Sequence, residues 1–192
     1  MKRTMKLAAL SVMTGAALAF AVGCGGGSSD GDGGSGENAG ASSENAVAVM
    51  PAGFFTSSAP EVAPMLIDVK NESAVGDEVT FTARIGGKRN PFTGSAAMFL
   101  IVDPSLKSCD QIPGDNCKFP WDYCCEPKDN LRAHMGTVQV VDAEGMVITG
   151  SLRDHEGLTG GATIVVTGTV SEKNDEGSFV VDASNIHVVT SG

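Results

Sequence analysis

Hydrophobic and polar residues alternate along several short segments in the C-terminal two thirds of the chain. In residues 77–85, apolar and polar side chains take turns from Val79 to Ile85. This period of two predicts a strand with one buried face. Residues 96–102 form a continuous apolar run, which is typical of a central strand. Further strands are predicted at 137–141, 146–152, 162–170 and 178–189.

Five or six strands separated by turn signals favour an all-β fold, either a small barrel or a sandwich. No segment shows helical periodicity over two or more turns, although residues 128–135 fit a short helix that starts after Pro127. Gly168 interrupts the strand at 162–170, and a glycine inside a strand indicates a bulge or a barrel corner. We therefore expect one small β domain at 65–192.

Two consecutive segments near the C-terminus carry a family resemblance. Residues 157–170, which contain GATIVVTGTV, and residues 179–188 resemble the last two strands of OB-fold domains. Residues 76–85 are similar to the first strand of that family. The resemblance implies a five- to six-stranded OB-like barrel. It also implies that an oligosaccharide or oligonucleotide would bind across the second and third strands.

The N-terminus has the features of an export signal. Three basic residues precede an uncharged run at 7–22, which is too short to cross a membrane as a helix. This arrangement predicts a signal peptide at 1–23. Residues 21–24 (AVGC) resemble the lipobox of bacterial lipoproteins, although Ala21 stands where leucine is usual. The resemblance implies that Cys24 is lipidated and that the exported chain is anchored to the cell membrane or the outer membrane, with its domain in the periplasm or at the surface.

Residues 24–64 are predicted to attach the domain to this anchor. Segment 25–46 consists largely of glycine and serine and has no aromatic residue, so it cannot bury enough apolar surface to offset the entropy of ordering. We expect a disordered tether there. Residues 47–64 hold three prolines and predict an extended lead-in, with Phe54 and Phe55 docked on the domain.

The charge of the chain narrows the choice of partners. The whole chain has a net charge of −10, which becomes −13 without residues 1–23, and residues 65–192 carry −8. Nucleic acid is therefore an unexpected ligand, because such binding needs a basic surface. Arg84, Lys88 and Arg89 form one small basic cluster, which we interpret as a solvated loop.

A cysteine-rich insert at 104–130 is the most specific feature of the domain. Four cysteines lie within it: Cys109, Cys117, Cys124 and Cys125. Disulfides are expected in an exported protein, because the compartments outside the cytoplasm are oxidising. A bond between the two adjacent cysteines would need a strained ring. Two pairings remain open, 109–124 with 117–125 or 109–125 with 117–124.

A metal-binding or redox-active cluster is the alternative use of these cysteines. Four thiolates could hold zinc or an iron–sulfur cluster. The spacing lacks the C-x₂-C pairs of many zinc sites, and adjacent cysteines in an extended chain point in different directions. We therefore predict disulfides, without a metal site or a cofactor.

Three aromatic residues lie between the second and third cysteines of the insert, namely Phe119, Trp121 and Tyr123. They are candidate binding residues, because Trp and Tyr on a rigid loop suit a recognition surface. The competing interpretation is that they form a miniature core of the loop itself. The run PWDYCCEP resembles one in uncharacterised bacterial lipoproteins, a resemblance that implies no activity.

Motifs for catalysis are absent from the sequence. It contains no G-x-S-x-G, H-E-x-x-H, P-loop or G-x-G-x-x-G, and its three histidines are dispersed. We predict no catalytic residue and no enzyme activity. The expected function is a lipid-anchored binding or structural module of the bacterial cell envelope, in which the insert recognises a protein or polymer or braces the domain. A metal or redox protein and an OB domain that binds an oligosaccharide or oligonucleotide are the alternatives.

Overall fold

A computed structural model describes residues 46–189 of the 192-residue chain. The predicted signal peptide at 1–23, the lipidation of Cys24 and nearly all of the predicted tether at 25–46 lie outside the described residues. Between residues 46 and 189, no helix is both long enough and apolar enough to cross a membrane.

The described part of the chain contains two short helices and five strands. The helices are α1 (Leu66–Glu72) and α2 (Lys128–Ala133). The strands are β1 (Glu78–Ile85), β2 (Met98–Val102), β3 (Met135–Gln139), β4 (Thr163–Lys173) and β5 (Phe179–Val189). Single turns of 3-10 helix lie at Cys109–Gln111 and His155–Gly157.

The five strands close into a barrel in the order β1-β2-β3-β5-β4, with β4 returning to β1. The pairs are antiparallel except for β3 and β5, which run parallel. The predicted all-β fold with a small OB-like barrel is confirmed. Two of the strand pairs are short, because β1 pairs with β2 only at Arg84 and Ile85 and β3 pairs with β5 only from Thr137 to Gln139. Residues that precede β1 in the chain contact the remaining edges of β1 and β5, through the bridges Met65–Thr82 and Phe55–Ile186.

The core of the barrel follows the alternation that the sequence predicts. In β1, Phe81, Ala83 and Ile85 point inward and are fully buried. The barrel is filled by side chains from all five strands, including Phe99, Val138, Ile164, Val166, Val181 and Ile186. Burying a residue of this size contributes about 1.5–3 kcal/mol, so this interior is the main source of stability.

Gly168 forms the predicted irregularity in β4. The register between β4 and β5 shifts at Thr167/Gly168, as in a β-bulge. A Cβ atom at Gly168 would collide with the backbone oxygen of Asp182 in the neighbouring strand. Only glycine therefore permits the two strands to approach this closely.

The segment predicted as a strand at 146–152 is not one. It forms isolated bridges only, namely Val147–Val141, Thr149–Ala96 and Ser151–Val47. The cause is that its backbone groups are divided between several partners. The N–H of Ile148 donates to the carbonyl of Val140, whereas the N–H of Ser151 donates to the carbonyl of Ala46, just before the lead-in. No single strand can run alongside it.

Helix α1 is the element that the sequence pattern missed. It has seven residues, too few to show two full periods of an amphipathic helix. Its position is fixed by tertiary contacts. Leu66 is fully buried, and the N–H of Ile67 donates to the carboxylate of Asp103 over 2.7 Å. Helix α2 was predicted and begins directly after Pro127.

The lead-in docks on the domain as expected. Phe54 is buried and Phe55 is half-buried. The N–H of Thr56 donates to the carbonyl of Ile186 in β5 over 3.0 Å, and the N–H of Ile186 donates to the carbonyl of Phe54 over 3.0 Å. The lead-in thus forms a short parallel contact along the outside of β5.

Candidate functional site

The insert at 104–130, which we call the cysteine loop, is bonded to the barrel through Arg84 of β1. The Arg84 guanidinium donates to the carbonyl of Gly161 over 2.9 Å and to the hydroxyl of Ser108 over 2.5 Å. It also forms an ion pair with Asp110 at 2.8 Å. Burial acts to raise the pKa of Asp110, but hydrogen bonds from Ser108 and Arg84 outweigh it and hold that pKa below its usual value. The loop is therefore a fixed part of the domain.

This geometry corrects our interpretation of the basic cluster as a solvated loop. The side chain of Arg84 is only 16% exposed and is fully engaged. The guanidinium of Arg89 lies over the ring of Phe119, 4.4 Å from its centroid. Lys88 alone has an exposed side chain without such a contact, and it lines a groove described below. Arg84, Lys88 and Arg89 are close in the sequence, but each has a different environment in the fold.

Tyr123 packs inside the loop. It is 1% exposed and lies in a buried cluster with Val102 and Leu106. Its backbone is left-handed, with φ of 57°, and its buried hydroxyl has no hydrogen-bond partner among residues 46–189. Burial raises the pKa of this phenol. The ring therefore supports the loop and is not accessible to a ligand.

Trp121 lies half-buried against the barrel. Its indole N–H donates to the carbonyl of Arg89 over 3.1 Å. The ring covers Gly160, where an added Cβ would lie 2.5 Å from the indole. An added Cβ at Gly86 would lie 2.6 Å from the Trp121 carbonyl. Two glycines thus allow the loop to lie directly on the barrel backbone.

Phe119 is half-buried, as Trp121 is. Its ring meets that of Trp121 edge to face, with the centroids 6.0 Å apart. Arg89 and Lys118 place cationic groups 4.4 and 5.7 Å from its centroid. These cations hold the ring through cation–π contacts and cover part of its surface.

The four loop cysteines converge on one point. The Sγ atom of Cys124 lies 3.8 Å from that of Cys109, 3.9 Å from that of Cys117 and 4.0 Å from that of Cys125. All four are free thiols. The S–S bond of a disulfide is about 2.05 Å long, and these sulfur atoms are 3.8–4.0 Å apart and not bonded. The disulfides therefore stay a prediction.

Burial separates these thiols into different environments. Cys109 is buried, Cys117 is half-buried, and Cys124 and Cys125 are exposed. Burial raises the pKa of the Cys109 thiol to about 11, and the hydrogen bond to Cys124 adds to the rise. The four sulfur atoms thus lie at the boundary between the interior of the loop and solvent.

A groove of about 430 Å³ crosses β2 and β3, on the face where OB-like barrels bind their ligands. Its floor includes Leu100, Gly136 and Phe179. Its rim carries the basic side chains of Lys88, Lys128 and Arg132, with one acidic residue, Glu176. The volume lies within the range of small-ligand sites, which is about 300–1,000 Å³.

Lys70 of α1 connects three segments that line this groove. Its ammonium donates to the carbonyls of Arg132 over 3.0 Å, Met135 over 2.7 Å and Gly177 over 3.0 Å. The residue is 8% exposed, and its burial, together with the charge of Lys173, lowers its pKa. One buried cation therefore fixes the positions of α2, β3 and the β4–β5 turn relative to one another.

The groove residues were missed in the sequence because they come from distant segments. A partial signal was present in α2, where Lys128 and Arg132 are four residues apart and so lie on one helix face. Lys88 lies 40 residues before Lys128, and no local pattern connects them. Lys70 gave no signal, because a buried lysine is rare and α1 was not predicted.

The histidines serve separate structural contacts. The His155 ring stacks on Phe55 with centroids 5.1 Å apart, and the Nδ1 atom of His187 lies 2.9 Å from the carbonyl oxygen of Thr56. The Nδ1 atom of His134 lies 2.8 Å from the carbonyl oxygen of Asn130 in α2. His155 and His187 thus contact adjacent residues of the lead-in, whereas His134 lies at the end of α2.

Comparison with known proteins gave no match, since no family model, no curated protein and no solved structure is similar to this chain.

Proposed function

We propose that this chain is an exported, lipid-anchored binding module of the bacterial cell envelope. The groove across β2 and β3 is its ligand site, and an acidic oligosaccharide is the ligand class that the groove fits best. The observation that supports this most is the concentration of Lys88, Lys128 and Arg132 around one groove of a domain whose net charge is −8.

The charge distribution of the domain favours contact with only a short segment of an acidic ligand, at the groove. An anionic polymer would be repelled by most of the domain and attracted only at the groove rim. Because these side chains are exposed, the attraction is screened over about 10 Å at 0.1 M salt. We therefore expect binding that weakens as the ionic strength rises.

The shape of the groove favours a saccharide over a nucleic acid. Single-stranded nucleic acids bind by stacking their bases on aromatic side chains. The groove has one aromatic residue, Phe179, and this ring is 2% exposed. Leu100, Leu131 and Met135 provide half-buried apolar surface of the kind that can contact the apolar faces of sugars.

The cysteine loop has a bracing role in this proposal. Tyr123 is buried, and Trp121 lies against Gly160, so both rings are used in packing. The loop leads directly into α2, which carries two of the three basic rim residues. The sulfur cluster would hold the loop closed, either through the predicted disulfides or by binding an ion.

Titration calorimetry with oligogalacturonate, an acidic oligosaccharide, tests the groove. The full chain in detergent should bind it, and K88Q/K128Q/R132Q should weaken binding by about 3- to 150-fold, since each exposed charge pair contributes about 0.2–1 kcal/mol. Lys107→Gln removes an exposed charge outside the groove and is the matched control. Equal affinity of the triple variant and the control would refute the groove as the site, and tighter binding of single-stranded DNA would refute the saccharide as its ligand.

The anchor is tested separately. We expect the chain to be recovered with the membrane fraction and to incorporate labelled fatty acid, because a diacylglycerol with an added acyl chain supplies stable anchoring. Cys24→Ala should lose both properties. A Cys24→Ala variant that keeps the label would show that the lipid is attached elsewhere or that the export signal works differently.

A further inference from the structure

We propose that the reduced cysteine loop is a binding site for a thiophilic metal ion, with Zn²⁺ as the ion that its geometry fits. Cys109, Cys117 and Cys124 are the primary ligands, and Cys125 takes the fourth position. This site is separate from the groove and does not depend on the function proposed for it.

The distances between the sulfur atoms carry the inference. Zinc binds thiolates at about 2.3 Å, so four sulfurs around one tetrahedral ion lie about 3.8 Å from each other. Cys124 has three sulfur neighbours at 3.8, 3.9 and 4.0 Å. The Sγ atoms of Cys109, Cys117 and Cys124 all lie within 4.8 Å of one another. One ion can therefore contact all three with small side-chain rotations.

The arrangement does not single out pairs, as two disulfides would require. Cys124 is almost equally close to three partners, and the Sγ atom of Cys109 lies within 4.8 Å of that of Cys125 as well. In a tetrahedral site each sulfur is about equally far from the others and the ion lies between them, an arrangement that Cys109, Cys117 and Cys124 approach.

The backbone of the loop allows the adjacent cysteines Cys124 and Cys125 to bind the same ion. In an extended chain, adjacent side chains point in opposite directions, which would prevent this. Here the chain turns after Tyr123, whose φ is 57°, and the sulfurs of Cys124 and Cys125 are 4.0 Å apart on the same side. Cys124 and Cys125 are the central residues of this turn, which the N–H of Glu126 closes by donating to the carbonyl of Tyr123 over 3.0 Å, and the turn brings the two ligands to one place.

The burial of the ligands gives the site a closed side and an open side. Cys109 is buried, and Cys124 and Cys125 are exposed, so an ion could enter from solvent. Asp115 competes for the fourth position, because its carboxylate lies 3.6 Å from the Sγ atom of Cys125. Soft thiolates favour zinc and monovalent copper over magnesium or calcium.

Two measurements on the full chain test the proposal. The first recovers the chain from membranes under thiol-alkylating conditions and measures bound metal and free thiols by mass spectrometry. We expect one Zn²⁺ per chain and four loop cysteines without disulfides. Two intramolecular disulfides and no metal would overturn the proposal and support the disulfide prediction instead.

The second measurement titrates the reduced full chain with Zn²⁺, or with Co²⁺ as a coloured probe of tetrahedral thiolate ligands. Cys117→Ser and Cys124→Ser should each weaken Zn²⁺ binding by at least about tenfold, the loss typical even of partners outside the ligand shell. Cys125→Ser should have the smaller effect, and Asp122→Asn, elsewhere in the loop, is the control. No Co²⁺–thiolate absorption from the reduced wild-type chain would also overturn the proposal. K88Q/K128Q/R132Q changes no sulfur ligand and should bind Zn²⁺ as tightly as the wild type, which separates this test from that of the groove.

Discussion

Replacing Lys70 by methionine should destabilise the domain strongly, because one ammonium group holds three segments together. The carbonyls of Arg132, Met135 and Gly177 accept hydrogen bonds from it at 2.7–3.0 Å. Each bond to a charged donor contributes about 1.5–3 kcal/mol, and the cost of burying the ammonium offsets part of the sum. Methionine fills a similar volume and donates no hydrogen bond. We expect the free energy of unfolding to fall by about 2–4 kcal/mol.

Urea unfolding at neutral pH measures this effect. The chain has one tryptophan, Trp121, which lies against the barrel and reports its unfolding by fluorescence. With a slope of about 1–3 kcal/mol per molar urea, the midpoint should fall by about 1 M or more. Lys107→Met, at an exposed site, should change stability by less than about 0.5 kcal/mol. If both variants unfold at the same urea concentration, the three hydrogen bonds do not have the role that we assign to them.

Three further predictions follow from single residues. The pKa of Lys70 in the folded chain is lowered from 10.5 by burial and by the charge of Lys173. Between the lowered pKa and 10.5 the unfolded chain therefore binds more protons than the folded chain, so the folded state gains stability as the pH rises through this range. Urea unfolding at several pH values should show the difference in unfolding free energy between the wild type and Lys70→Met growing over the same range. Tyr123→Phe should leave the free energy of unfolding unchanged or raise it by up to about 1 kcal/mol, because the buried hydroxyl that it removes is unpaired. Tyr123→Ala should lower the free energy of unfolding by about 3–5 kcal/mol, because it removes the buried ring. Gly168→Ala should cost at least about 2 kcal/mol, because its Cβ would collide with the backbone of Asp182, and a melting temperature equal to the wild type would contradict the bulge.

The strands of the barrel were predictable because each carries its own periodic signal. Residues 77–85 and 178–189 alternate over enough positions to show which face is buried, and β1 and β5 occupy nearly the same ranges. The segment at 146–152 also has apolar residues, but its pairing depends on the lead-in and on Ala97, which lie far away in the sequence. Local patterns do not contain that information.

The candidate sites were less predictable, because each is assembled from separate segments. The cysteine loop was recognisable from its composition, but its sulfur cluster depends on the turn after Tyr123. The groove was not recognisable, since Lys88 and Arg132 meet only when β1, β3 and α2 have folded together. The resemblance to OB-fold domains pointed to the face of the barrel on which the groove lies, without naming its residues.

NMR mapping of the bound ligand shows whether the groove across β2 and β3 is the ligand site. Oligogalacturonate is titrated into the isotope-labelled full chain, and the amide shifts of residues 46–189 are followed. We expect the largest shifts at the groove, at Leu100, Thr137 and Gly177, and we expect them to decrease as salt is added. Shifts concentrated at His155 and Gly157, which lie outside the groove lining, or no shifts at all at saturating ligand, would contradict this expectation.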